Sequence, residues 1–173
     1  MVIRSVTDER VYADAPADPS VPSLDQTPES QSSPDIKARA VARKRNGYGL
    51  SQGDVVLNTP DTVRSVVRDN VESALKEAGF DVVNSTDVAA SRAMEVDVRI
   101  RKFWLWLQPG VMVGTIRSRI ATDIRFGSEM QVSVEAETSQ PGQIFSEAAW
   151  TKAVSVATEA YRTQVRNQLS DKR

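Results

Sequence analysis

The chain has 173 residues, 40% of them hydrophobic, and a formal net charge of -1. That is enough apolar material for one core, without the basic excess that marks a nucleic-acid binder. His and Cys are both absent, which excludes Ser-His-Asp and Cys-His nucleophiles, thiol redox chemistry and Cys/His zinc sites, and keeps a carboxylate-only metal site or a carboxylate pair possible.

Residues 2–6 read as a short strand. Residues 13–34, ADAPADPSVPSLDQTPESQSSP, hold five of the chain's eight prolines. This composition buries too little apolar surface to offset its ordering entropy, so the segment is expected to be a mobile loop. Residues 36–45 suit a short strand or a helical turn. They end in the basic cluster Arg43-Lys44-Arg45 before the turn signal Asn46-Gly47, which is either an anion contact or a solvated turn. Thr59, Pro60 and Asp61 open a helix whose apolar stripe is Val63, Val67, Val71, Ala74 and Ala78. Gly79 stops it, and Phe80–Val83 is expected to follow as a strand.

Three long strands are predicted over roughly 94–107, 111–126 and 129–137, joined by turns at Gln108-Pro109-Gly110 and Phe126-Gly127-Ser128. Their apolar residues share even parity: Met94, Val96, Val98 and Ile100; Met112, Ile116, Ile120 and Ile124; Met130, Val132, Val134 and Ala136. A half-buried antiparallel meander has this pattern. A last helix opens at Ser146 and Glu147, with Trp150, Val154, Ala157, Tyr161, Val165 and Leu169 on one face. The predicted fold is therefore a single α+β domain over 1–173. A mainly antiparallel sheet carries two helices on its even-numbered face, and a long mobile loop lies near the N-terminus. No run reaches the ~18 apolar residues of a membrane-crossing helix.

Two constellations invite function. Phe103-Trp104-Leu105-Trp106-Leu107 breaks the alternation. If Leu107 pairs with Val111, then Phe103, Leu105, Leu107, Val111 and Val113 form an odd-face apolar patch, opposite Trp104 and Trp106. This patch is either a docking surface or a region covered by the 13–34 loop or the chain termini. The same register gathers Arg99, Arg101, Arg117 and Arg119 into a candidate anion surface. Glu135, Glu137, Asp97 and Asp123 offer the alternative of an exposed salt-bridge lattice. No catalytic, cofactor-binding or metal-binding residues are assigned, and no enzyme activity is expected.

The segments VTDER, ARKRNGYG, LKEAGFDVV and KFWLWLQPG together resemble the YajG family of Gram-negative lipoproteins across most of the chain. The resemblance implies a periplasmic protein whose precursor is exported and tethered to a membrane through a lipobox Cys; no Cys occurs in these 173 residues. Met1 is accordingly expected to replace a longer natural N-terminus. The family brings no established active site, so no residue role is transferred. The strand–helix–Gly–strand opening is also similar, at fold level, to CsgG-type and penicillin-binding-protein activator lipoproteins. The expected function is that of a non-enzymatic accessory or binding protein of the cell envelope. Its partner would be another envelope protein or a second copy, with no nucleic acid, no cofactor, and membrane contact only through the anchor. The alternative is a carrier of a small apolar ligand or anionic lipid, held in a cleft between sheet and helices near Trp104, Trp106 and Trp150.

Overall fold

The computed structural model describes residues 1–46, 48–110, 113–128 and 130–170. Among these, β1 (Val2–Asp8), β2 (Ala40–Arg45), β3 (Ser51–Val56), β4 (Glu95–Gln108), β5 (Gly114–Phe126) and β6 (Met130–Gly142) form one six-stranded sheet. The meander β4-β5-β6 is antiparallel and builds most of it. The other edge of β4 has a less regular construction. Both β1 and β2 run parallel to β4, with Val2–Asp8 beside Glu95–Ile100 and Ala42 beside Leu105. They therefore lie in series along one edge. Residues 9–39 leave that edge after β1 and return to it at β2. The order continues outward to β3, which is short and carries two register shifts against β2, a build that blunts an open edge.

Two helices lie on the face made by Val96, Val98, Ile100, Ile116, Ile120, Ile124, Val132 and Val134, all of which are buried. Helix α3 (Val63–Glu77) buries Val63, Val67, Val71, Ala74 and Leu75, and helix α4 (Glu147–Ser170) buries Trp150, Ala153, Ala157, Tyr161, Val165 and Leu169. The α+β architecture and the even-numbered core face are as the alternation predicts. Leu75 is fully buried. Leu75→Ala is expected to cost about 2–5 kcal/mol, read as a lower urea midpoint with an unchanged slope. An unmoved midpoint would place Leu75 outside the core.

The start of α3 differs from expectation. Its cap is Thr62 rather than Thr59, with a reciprocal box in which Thr62 Oγ1 accepts from the Ser65 amide and Ser65 Oγ accepts from the Thr62 amide. Thr59-Pro60 is instead a cis peptide in the preceding turn. Gly79 adopts the left-handed exit, with φ of 84°. Phe80–Val83 does not form a strand; its link to the fold includes the Val83 amide, which donates to the Met1 carbonyl at 2.9 Å.

The 9–39 excursion also departs from the expected mobile loop. It contains two short helices, α1 (Pro28–Ser32) and α2 (Pro34–Arg39), capped by Thr27 and Ser33. Its first part folds back over the sheet face opposite α3 and α4 and buries Leu24, while α2 reaches α3. The segment is poor in apolar residues of its own, so it packs on those of others, as the geometry of β4 shows.

Candidate functional site

The decisive feature of β4 is a bulge at Arg101. Before it, Ile100 pairs with Thr122; after it, Lys102 pairs with Ala121. One extra residue in a strand of period two exchanges its faces. Val96, Val98 and Ile100 point toward the helices ahead of the bulge; Phe103 and Leu105 do so beyond it, and both are fully buried in the main core. Trp104 turns to the opposite face. There its indole N–H donates to the Pro19 carbonyl at 3.0 Å, and its ring meets Tyr12 edge-on at 6.2 Å. Arg10 lies over the other partner of this stack, 5.5 Å from the Tyr12 ring centre. Burial pushes the Tyr12 phenol up to about 12. The unbroken apolar run 103–107 thus serves two packing layers, one under the helices and one under the excursion.

This overturns the predicted docking patch. Phe103 and Leu105 are core. Leu107 is half-buried near Phe145, whose ring lies so close over Gly114 that a Cβ there would sit 2.7 Å from it. Val113 is exposed, and Val111 lies outside the described residues. The predicted hairpin register is also corrected: Leu107 pairs with Ile116, because β4 runs to Gln108 and β5 begins only at Gly114. Trp104 and Trp106 consequently lie across from Arg119 and Arg117, and neither indole faces the helices.

The four arginines are dispersed by the same change of register. Arg99 lies opposite Asp123 rather than near Arg119. Arg101 pairs with Asp123 at 3.1 Å, and Arg119 reaches both Glu135 (3.1 Å) and Glu137. Arg125 holds Asp97 at 2.7 Å, and that hydrogen bond is the main cause of the lowered Asp97 pKa. Of the candidate anion set, only Arg99 and Arg117 have no carboxylate partner among the described residues, and cross-strand pairing separates them. The arrangement is an exposed salt-bridge lattice. Arg119→Gln is therefore expected to move stability by well under ~1 kcal/mol. A larger loss of midpoint would show that these pairs do more than screen one another.

Another concave feature lies between the β2-β3 hairpin and α4. A groove of about 330 Å³ opens there, with a floor of Val41, Val55, Val66, Trp150 and Val154 and a rim of Asn58, Asp61, Glu147, Thr151 and Ser155. Lys44, on the helix-facing side of β2, pairs with Glu147 at its mouth. Trp150 is the one tryptophan of the expected cleft that the structure places there. The groove had little sequence signal, because β3 reads as SQGDVV, with Gly and Asp where a strand prefers branched residues. Among the described residues no group of three carboxylates gathers to hold a metal ion, and no helix is long and apolar enough to cross a membrane.

No family model and no curated protein matches the chain. Among solved structures, it is similar to a Xanthomonas campestris protein of the DUF330 family, with 12% identity and a TM-score of 0.47 over 99% of this chain and 84% of that one. An uncharacterised protein aligns at 10% identity and TM-score 0.45, over 98% of this chain and 92% of the other. A minor lipoprotein from Acinetobacter baumannii aligns at 12% identity and TM-score 0.44, over 65% of this chain and 88% of that one.

Proposed function

We propose that this chain is a non-enzymatic accessory protein of the cell envelope that acts by binding, and that the β3–α4 groove is where it binds. The groove carries the reading. Its floor is apolar and walled by a sheet edge and a helix, while its rim offers hydroxyls and two carboxylates, one of them already paired with Lys44. Such a surface suits an apolar side chain or short acyl group presented by another envelope component. The envelope assignment and the lipid anchor of the precursor rest on the sequence resemblance.

A photoreactive residue at Thr151 or Ser155 tests the reading in cells. Crosslinks to one defined envelope component are expected there and not from Ser133, which lies on the opposite sheet face. Equal crosslinking from all three positions would remove the groove as the site. Metabolic labelling of the full-length precursor with palmitate tests the anchor; an unlabelled, freely released product would end that part.

The same groove favours a second reading, a carrier of a small apolar ligand. About 330 Å³ is near the lower end of ligand cavities, which run from roughly 300 Å³ upward. A compact ligand therefore fits, and a full-length acyl chain does not. Shifts of the Val55, Val66 and Val154 methyl signals on titration with short alkanols would support it.

A further inference from the structure

The side chains of the basic cluster before the Asn46 turn divide between the two faces of β2. Lys44 goes to Glu147. Arg43 and Arg45 both turn to the opposite face, beneath the excursion. Arg43 is only 7% exposed. Its guanidinium donates to the Leu24 carbonyl at 3.0 Å, and that of Arg45 donates to the Pro16 carbonyl at 2.7 Å.

Neither arginine has an ion-pair partner among the described residues. Arg43 Nε and Arg45 Nη2 are buried without any hydrogen-bond partner. Two neighbouring cations with unused donors are costly to bury. The nearby carboxylates do not meet this demand. Asp54 lies across the ladder from Arg43 but forms no ion pair with it: Oδ1 accepts the Asp25 amide, Oδ2 is buried without a hydrogen-bond partner, and burial raises its pKa despite the opposing charge of Arg43. Asp18 accepts the Ser20 amide at 2.8 Å. Burial, and after it the charge of Arg43, lowers the Arg45 pKa.

Both arginines line a pocket of about 240 Å³ that is separate from the β3–α4 groove. Asn46 adds a polar group, and Ala17, Pro19 and Leu107 supply an apolar wall. We propose that this pocket is an anion site for a phosphate group, with the guanidinium donors of Arg43 and Arg45 as its ligands and the apolar wall receiving the first carbons of a phosphate ester. A phosphate balances two arginine charges and accepts from both planar forks at once. The group could arrive as free phosphate or as the headgroup of an anionic lipid.

The test uses the whole chain, with the arginine side-chain N–H signals followed by NMR. The probes are inorganic phosphate, dihexanoyl phosphatidic acid kept below its micellar concentration, and dihexanoyl phosphatidylcholine as the zwitterionic control. Saturable shifts of the Arg43 and Arg45 signals with phosphate or phosphatidic acid are expected. Tighter binding of phosphatidic acid assigns a lipid headgroup, and equal binding assigns the free anion. Arg45→Gln is expected to weaken binding about tenfold or more, with the amide spectrum of the rest of the sheet retained. The wild-type titration stands even if that variant loosens the loop. Absence of saturable shifts from both anionic probes would overturn the site, as would equal shifts with phosphatidylcholine or an affinity unchanged in Arg45→Gln.

Discussion

Trp104→Ala is expected to cost about 3–5 kcal/mol, one of the two largest losses foreseen for a single substitution here. The indole is 1% exposed, although it sits on the face away from both long helices. Its removal empties the layer between sheet and excursion, frees the Pro19 carbonyl and leaves Tyr12 without its edge-on partner. The loss should also be local in character. Amide exchange is expected to accelerate across residues 13–24 far more than in α3, since the main core keeps all of its contacts. A urea midpoint that falls together with uniform loss of protection would mean that the two layers form one cooperative unit. A midpoint that does not fall would mean that the excursion rests on something other than this ring.

The second large effect is expected at Arg10. Its side chain is 1% exposed and forms a fork with Asp8: Nε reaches Oδ1 and Nη2 reaches Oδ2, each at 2.8 Å. The same guanidinium donates to the Ala40 carbonyl at 2.6 Å and the Lys37 carbonyl at 2.8 Å. Asp8 closes β1 and Ala40 opens β2, so one residue ties both ends of the excursion together. Arg10→Ala removes the fork from the Asp8 carboxylate and the main donor to the Ala40 carbonyl, while the Lys37 carbonyl keeps the Tyr12 hydroxyl; it is expected to cost about 3–5 kcal/mol. Arg10→Lys should recover little, because one ammonium cannot reach four acceptors in a planar fork. Denaturation midpoints of the two variants decide the matter. Near-complete rescue by Lys would reduce the role of Arg10 to its charge.

The parts of the fold that could be read from the sequence are those set by local period. The valines of α3, the stripe of α4 and the shared even parity of β4, β5 and β6 each repeat often enough to identify themselves. Features that depend on a single residue or a distant partner could not be read. The bulge at Arg101 has no Gly or Pro to mark it, yet it exchanges the faces of β4 beyond it and places Phe103 and Leu105 of the expected docking patch in the core. The cap at Thr62 relies on Ser65, a weaker signal than Glu or Gln at that position. Residues 13–34 look unable to fold by composition because the ring that orders them, Trp104, lies far along the chain. The groove was hidden for a similar reason: its walls come from β3, which lacks a strand signature, and from α4.

The edge built from β1 and β2 in series bears on how the protein is made. Both strands are complete early in synthesis, but the backbone they pair with, β4, comes later. The meander from β4 to β6 closes through short connections, whereas β1 must wait across the whole intervening stretch for its partner. Long-range pairing of this kind slows folding. A nascent chain would therefore hold β1, the excursion and the β2-β3 hairpin without their β4 partner until the centre of the sheet emerges, and the proline-rich composition of residues 13–34 keeps that waiting segment from pairing with the wrong strand.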